Sequence, residues 1–189
     1  MKEPALYTKR LLLRRWADAD REPFARISAD PQVMQYRLAP LSHRESDMLI
    51  DESEASFEKN GFGLWAVERI EDGRLLGFAG LGTSDFDAAF CPAVDVGWTL
   101  VRDVWGHGYA TEGAVAALDY AFDRLRLDEV VAHTSERNER SRAVMRRLGM
   151  IHDSQDDFDA PWYRPGHPRR RFVLYRIKAR EWAGRETVT

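Results

Sequence analysis

The chain has 189 residues, a length that suits one globular domain with a sizeable buried core. Its composition is ordinary for such a domain, with 44% hydrophobic and 31% charged residues. A net charge of −3 argues against nucleic-acid binding, and a single cysteine, Cys91, excludes an internal disulfide. No apolar run resembles a signal peptide or reaches the length of a membrane span. We therefore expect a cytoplasmic protein that binds neither nucleic acid nor membrane.

The first third of the chain predicts one strand and two helices. Apolar alternation around Leu11 predicts the strand, and the helix that follows it is closed by Pro31. Ser42 and Glu45 have the spacing of a capping box, so a second helix begins there and runs to about Asn60. Charges along this helix indicate a solvated face.

The rest of the chain alternates between strands and helices. Glu71-Asp-Gly73 joins two short apolar segments and predicts an antiparallel hairpin. The elements expected after the hairpin are a polar loop at 82–93, a strand at 94–98, a helix opened by a glycine turn, a strand at 129–134, a helix at 138–148, an acidic and proline-rich loop, and a strand at 172–177. Without a repeat or linker, this order predicts a single α+β domain over 1–189, with a core of roughly 6–182.

The glycine turn Gly106-His-Gly108 is the clearest functional signal, because the first N–H groups of a helix bind anions. Two glycines in a loop are also common without any ligand. A nucleoside-triphosphate loop needs Lys and then Ser or Thr after the last glycine, where Tyr109-Ala110 stands. A dinucleotide site needs a third glycine at Thr111 and an acidic residue ending the next strand, whereas Asp128 begins it. An acyl-coenzyme A site is the remaining phosphate class.

Several motifs agree with that class. They are Val94-Asp-Val-Gly-Trp98, Trp105-Gly-His-Gly-Tyr-Ala-Thr-Glu112, Asn138-x-x-Ser141 with Leu148-Gly149-Met150, and Val173-Leu-Tyr-Arg-Ile177. Together they resemble the GNAT acetyltransferases, and most nearly the branch that contains the ribosomal-protein N-terminal acetyltransferases. The likeness runs from Thr8-Lys-Arg-Leu to Tyr175-Arg. It implies a GNAT fold with a mixed, mostly antiparallel, twisted sheet of about seven strands and about four helices, splayed at the acyl-coenzyme A strand.

The resemblance also implies that acetyl-coenzyme A is the acyl donor. Backbone groups of Trp98, Thr99 and Leu100 would hold the pantetheine arm, and one N–H would polarise the thioester carbonyl. Trp98 is equally compatible with a core position. The pyrophosphate would lie on the glycine turn, whose residues are Gly106, His107, Gly108, Tyr109, Ala110 and Thr111.

Two residues of the next helix are implied near the pantetheine. Asn138 matches the family asparagine, although it is also a natural N-cap. Ser141 would protonate the departing thiolate, or it is an ordinary solvated serine. The family's tyrosine acid is absent, because Met145 stands at that position.

Two acidic residues depart from a phosphate site. Asp103 stands where the family favours Gln or Arg, and Glu112 lies in the first turn of the helix. Both are expected to point away from the phosphates.

The candidate bases are Asp95 and His133. Asp95 faces either a cleft or the solvent, and His133 either titrates near neutrality or packs as an ordinary histidine. No metal-ligand spacing is present, so no metal is expected. We expect direct transfer from acetyl-coenzyme A in a ternary complex, with no acyl-enzyme. The resemblance implies that the acceptor is an amine of a protein N-terminus or a small molecule. The protein is expected to be a monomer or a homodimer. The alternative is a non-catalytic module that binds or senses acyl-coenzyme A.

Overall fold

A computed structural model describes residues 5–184, so residues 1–4 and 185–189 of the predicted domain lie outside it. The chain forms two compact units. The first runs to Gly82 and resumes over 97–117, and the second comprises 83–96 and the chain from Leu118 onward. The single domain expected from the sequence stays a prediction.

The described residues contain nine strands and five α-helices. They are β1 (Leu6–Tyr7), β2 (Leu11–Arg14), α1 (Arg21–Ala29), α2 (His43–Asn60), β3 (Leu64–Arg69), β4 (Arg74–Ser84), β5 (Ala93–Leu100), α3 (Tyr109–Asp119), β6 (Glu129–Ser135), α4 (Glu139–Arg147), β7 (Ile151–His152), β8 (Phe158–Asp159), β9 (Arg171–Lys178) and α5 (Ala179–Ala183).

In the first unit the strands follow one another in chain order. β1 pairs with β2, β2 with β3 and β3 with β4, each antiparallel, and the Val101 N–H after β5 donates to the carbonyl of Leu76 on β4. A buried cluster lies against this sheet. It contains Trp16, which follows β2, and residues of α1, α2, β3 and β4: Phe24, Ile27, Ile50, Ala66, Leu75 and Phe78.

Helix α2 begins and ends as the sequence predicts. Ser42 accepts a hydrogen bond from the Glu45 N–H, and the Glu45 carboxylate accepts one from the Ser42 N–H, which confirms the capping box. Gly61 ends the helix with a φ of 74°, a left-handed conformation that costs glycine little. The predicted hairpin of β3 and β4 is also confirmed.

The second unit is built on β6 and β9. These strands pair antiparallel over seven residue pairs, from Glu129 with Lys178 to Ser135 with Phe172. The short strands β7 and β8 also pair with β9, and β5 pairs with β6 in parallel at Asp95 and Val131. This short parallel contact fits a strand that is expected to splay.

The expected fold class is confirmed, with two strands and one helix beyond the predicted number. The two-residue strands and the five-residue α5 are too short to show a periodic pattern. Helix α3 continues into a π-helical turn over Tyr120–Arg124, which the apolar spacing did not predict. Among the described helices, none is long and apolar enough to cross a membrane.

Candidate functional site

The glycine turn adopts the geometry that an anion site at a helix start requires. Gly106 and Gly108 have φ values of 82° and 84°, and α3 begins immediately afterwards at Tyr109. A side chain at either glycine would be strained, because L residues rarely adopt these values. The N–H groups of the first helical turn lack partners within the helix and carry the positive end of its dipole. The turn therefore suits a phosphate-bearing ligand.

An arginine of the first unit holds this turn in place. The Arg10 guanidinium donates to the His107 carbonyl at 3.0 Å, and its carbon lies 4.3 Å from the centre of the Tyr109 ring. A Cβ on Gly108 would lie 3.5 Å from Arg10 Nη2, so the guanidinium borders the glycine turn itself. The turn over residues 106–111 is called the cradle below. Positive charge beside N–H donors favours an anion further.

Glu112 faces away from the turn, as expected. Its Oε1 accepts from Thr8 Oγ1 at 2.6 Å and from the Arg10 N–H at 2.9 Å, and its Oε2 pairs with the Arg10 guanidinium at 2.6 Å. Burial would raise the pKa of Glu112, but the bonds from Thr8 and Arg10 outweigh it and lower the pKa. The carboxylate therefore anchors α3 to the β1–β2 segment.

Asp103 is exposed and also has a cationic partner. It pairs with Arg74 at 2.8 Å, and this hydrogen bond is the largest cause of its lowered pKa. The repulsion expected from an acidic residue before the turn is thus reduced by Arg74.

The end of β5 lies close to β4. A side chain on Gly77, which has a φ of 136°, would overlap the Thr99 carbonyl oxygen. The Leu100 carbonyl accepts from the Trp105 indole N–H at 2.9 Å. The indole therefore occupies one acceptor position of the Leu100 carbonyl. The predicted binding of the pantetheine arm by the backbone of Leu100 stays a prediction.

In the second unit, Asn138 acts as the N-cap of α4, which confirms the structural alternative for this residue. Its Oδ1 accepts from the Ser141 N–H at 3.2 Å. Its Nδ2 donates to Thr134 Oγ1 at 2.9 Å and to Ser141 Oγ at 3.0 Å. Because these bonds employ both amide hydrogens, the Ser141 hydroxyl keeps its own proton for another acceptor.

The two predicted bases both contact the hydroxyl of a serine, Ser84, that the sequence did not indicate. Ser84, at the end of β4, donates from Oγ to Asp95 Oδ1 at 2.9 Å and lies 3.1 Å from His133 Nε2. Ser84 is 4% exposed, whereas Asp95 and His133 are partly exposed. Burial raises the pKa of Asp95 above its ordinary value, against weaker opposing effects of the His133 charge and the Ser84 hydrogen bond.

Aromatic rings surround His133. Its ring centre lies 5.7 Å from those of Phe86 and Phe158, 6.0 Å from that of Phe172 and 6.3 Å from that of Trp162. These rings also contact one another, with Phe86 and Trp162 at 5.1 Å. These rings exclude part of the solvent around the half-buried His133, which strengthens its charge interaction with Asp95.

This ring cluster corrects the description of 82–93 as a polar loop. β4 continues to Ser84, and Phe86 and Phe90 turn inward onto the cluster, while Asp85 and Asp87 are exposed. The apolar signal was present in the sequence as two phenylalanines four residues apart, the first of which stands between the two aspartates. Ser84 itself had no such signal, because its role depends on strand pairing.

The predicted site residues therefore form two groups, one in each unit. The first unit holds the turn from Gly106 to Thr111 and the strand end Trp98–Leu100, and the second holds Asp95, His133, Asn138 and Ser141. Across residues 5–184, no group of three His, Cys, Asp or Glu side chains is placed to bind a metal ion.

Comparisons with known proteins agree with this chemistry. Residues 10–151 match the family model described as an acetyltransferase (GNAT) domain. The chain is 29% identical to the FsC-acetyl coenzyme A-N(2)-transacetylase of Aspergillus fumigatus over 95% of this chain and 78% of that protein. It is 28% identical to Bacillus subtilis YdaF, provisionally named a ribosomal N-acetyltransferase, over 61% of this chain and 60% of that protein.

A solved structure agrees over nearly the whole length. The acetyltransferase from Agrobacterium tumefaciens superposes with a TM-score of 0.75 and 29% identity, covering 92% of this chain and 94% of that one. The family match spans most of the chain and includes the glycine turn. The chain belongs to the GNAT family of acetyltransferases and is an acetyl-coenzyme A-dependent acyltransferase.

Proposed function

We propose that the protein transfers the acetyl group of acetyl-coenzyme A directly to a primary amine. The observation that carries this proposal is the pair of titratable side chains, Asp95 and His133, held on the Ser84 hydroxyl among aromatic rings. An amine must lose a proton before it attacks a thioester, and a partly enclosed carboxylate with a neighbouring imidazole suits that task. Acetyl-coenzyme A supplies the activated acyl group.

At the donor side, we assign pyrophosphate binding to the N–H groups of the glycine turn. The left-handed glycines and the adjacent Arg10 cation support this assignment. The backbone of Trp98, Thr99 and Leu100 is assigned to the pantetheine arm, with one N–H polarising the thioester carbonyl.

Ser141 is proposed as the proton donor to the departing thiolate. Its Oγ accepts from Asn138 and its N–H is capped by the same side chain, so its rotamer is fixed and its hydroxyl proton is free to be donated. Asn138 is thereby proposed to position Ser141 as well as to border the pantetheine. The buried Met145, 2% exposed, is no substitute for a tyrosine acid.

The acceptor is proposed to be an α-amine of a protein N-terminus or an amine of similar basicity on a small molecule. At pH 7 an amine with a pKa near 8 is neutral about one time in ten, whereas a lysine amine is neutral about once in a few thousand. Removing a proton from an α-amine therefore costs less free energy than removing one from a lysine amine, which suits a base that acts without a metal ion. The names of two relatives, one ending in N(2)-transacetylase and one referring to the ribosome, agree with either kind of acceptor.

The acceptor class is tested by a panel of amines at pH 7 with the full chain. Thiol release and acetylated product are measured for peptides with free N-termini, the same peptides with blocked N-termini and one free lysine, polyamines and small amines. The proposal predicts a higher kcat/KM for a free α-amine or a similar small amine than for a matched lysine amine. A preference for lysine amines would contradict it.

Direct transfer is tested by the intact mass of the protein. After incubation with acetyl-coenzyme A and no acceptor, the mass should be unchanged, because the acyl group never resides on the chain. An acetylated protein that passes the group to an added amine would establish an acyl-enzyme instead.

The proposal includes a cytoplasmic protein, monomeric or homodimeric, whose partner is the amine acceptor. The single cysteine is compatible with a reducing compartment, and the net charge of −3 gives no reason to expect a nucleic-acid partner.

A further inference from the structure

Ser84 contacts two titratable groups with one hydroxyl. Its Oγ lies 2.9 Å from Asp95 Oδ1 and 3.1 Å from His133 Nε2, so Asp95, Ser84 and His133 form a continuous hydrogen-bonded chain. The three residues come from three adjacent segments, the end of β4, the start of β5 and the middle of β6. A hydroxyl has one proton and can both donate and accept, which makes it suited to link two such groups.

This chain has two complete hydrogen-bond arrangements that contain the same number of protons. In one, an imidazolium donates from Nε2 to Ser84, and Ser84 donates to the Asp95 carboxylate. In the other, a neutral Asp95 carboxyl donates to Ser84, and Ser84 donates to Nε2 of a neutral imidazole. Two short hydrogen transfers along the chain convert one arrangement into the other, and no heavy atom has to move far.

We propose that Ser84 is a positioning residue that joins Asp95 and His133 into one proton-accepting unit for the amine acceptor. The inference rests on the proposed acetyl transfer. The ammonium R–NH3+ gives one proton to the unit and becomes R–NH2. That proton is then held as the imidazolium or as the neutral carboxyl. The lone pair left on nitrogen attacks the thioester carbonyl, so the C–N bond forms and the C–S bond breaks. The departing thiolate takes a proton from Ser141, which regains one as the nitrogen loses its second proton.

The surroundings favour a shared proton over two independent groups. Rings from four neighbouring segments lie around His133: Phe86 and Phe90 from the loop after β4, Phe158 from β8, Trp162 from the following loop and Phe172 from β9. Among the charged side chains of these flanking segments, Asp85, Asp87, Asp159, Arg164 and Arg171 are exposed, and His167, Arg169, Arg170 and Arg176 are half-buried. Arg170 pairs with Asp159, and Arg176 pairs with Glu129 and Asp156. Two ionisable groups joined through one hydroxyl in such a setting are expected to share a proton.

The kinetic test compares Ser84→Ala, Ser84→Thr and the control Ser135→Ala. Ser135 is a buried serine of β6 whose hydroxyl has no hydrogen-bond partner among the described residues. Ser135→Ala therefore removes a buried hydroxyl and leaves the hydrogen bonds between Asp95, Ser84 and His133 intact. Ser84→Ala should lower kcat by about tenfold or more, within the range of lost acid–base assistance, and leave KM for acetyl-coenzyme A unchanged. Threonine should restore most of the loss.

The pH profile separates this role from a structural one. Without the Ser84 hydrogen bond the Asp95 carboxylate is less stabilised, so the acid limb of kcat/KM should move to higher pH in Ser84→Ala and return in Ser84→Thr. A kcat within twofold of wild type with the same profile would overturn the proposal. A loss of activity that follows thermal stability while the profile is unmoved would overturn it as well.

A second measurement needs no turnover. The carboxyl of Asp95 is titrated by 13C NMR in wild type, His133→Gln, Ser84→Ala and the double variant. His133→Gln shifts the titration midpoint of the Asp95 carboxyl in each background. If the coupling runs through Ser84, this shift should be at most half as large in the Ser84→Ala background as in the wild type. Equal movements in both backgrounds would refute the coupling. Absence of transfer to any amine by the wild type would refute the proposed function alone.

Discussion

Glu112 and Arg10 show how single residues can support the proposed phosphate cradle. The carboxylate lies in the first turn of α3, where its charge suits the helix dipole but opposes an anionic ligand. Its four bonds to Thr8 and Arg10 direct that charge toward β2, while Arg10 also donates to the His107 carbonyl. One ion pair thus anchors the helix start and compensates the Glu112 charge.

Replacing Glu112 with Gln should destabilise the protein by about 1–3 kcal/mol at pH 7, because charged hydrogen bonds in a mostly enclosed site are lost. The pKa of Glu112 is lowered, so its contribution is full above the unfolded pKa of about 4.3 and is lost as pH falls through the folded pKa. Urea unfolding at pH 7 and below pH 4 should show the difference from wild type shrinking.

Glu139→Gln is the matched control for this variant. Glu139 pairs with Arg142 at an exposed position, so its replacement should change stability by no more than about 0.5 kcal/mol. A Glu112→Gln variant as stable as this control would show that the anchor is unimportant.

Gly108→Val should weaken acetyl-coenzyme A binding at least about tenfold, because the side chain would enter the cradle beside Arg10. Gly73→Val is the matched control. Gly73 has a φ of 69° and open space around a Cβ, so valine there brings similar strain in the hairpin turn without approaching the cradle. Calorimetric titration with acetyl-coenzyme A should find wild-type affinity in the control. Unchanged affinity in Gly108→Val would refute the cradle.

At the scale of elements, α2 is joined to β3 by the hydroxyl of Ser53. Ser53 Oγ donates to the Leu64 carbonyl and accepts from the Leu64 N–H, both at 2.8 Å, so a helix side chain satisfies the backbone of a strand start. The Leu64 carbonyl also accepts from the Trp16 indole at 2.6 Å. This arrangement links the helix, the strand and the core cluster of the first unit.

Ser53→Ala should therefore cost about 1–3 kcal/mol, because it leaves the Leu64 N–H without that acceptor. Ser46→Ala in the same helix is the control, since its buried hydroxyl has a weaker contact, 3.4 Å from Ser28 Oγ. Denaturant unfolding of both variants tests the difference. Equal losses would show that the bond to β3 contributes nothing beyond burial of a hydroxyl.

Elements with a local signal were predicted well, and those without one were not. The capping box at Ser42, the Glu71–Gly73 hairpin and the Asn138 cap depend on neighbours within four residues, so their spacing is visible in the sequence. The union of Ser84 with Asp95 and His133 joins residues up to 49 positions apart and depends on strand pairing. One sequence gives no information on such a register.

The whole molecule is a GNAT acetyltransferase with a proposed donor cradle and an amine acceptor of proposed class. Family membership rests on a match over residues 10–151, and the donor follows from it. Ligand binding to the folded state raises stability as RT ln(1 + [L]/Kd). Acetyl-coenzyme A at about 100 times its Kd should therefore stabilise the protein by about 2.7 kcal/mol, measurable by urea unfolding.

The most direct test of the central claim is the stoichiometry of turnover. Wild-type protein is mixed with acetyl-coenzyme A and each amine in turn, and free thiol and acetylated amine are quantified in the same sample. Acetyl transfer to an amine predicts one acetylated amine for each thiol released, at a rate that depends on the amine. The contradicting result is that acetyl-coenzyme A stabilises the protein but no amine leads to thiol release. That result would identify a module that binds or senses acyl-coenzyme A.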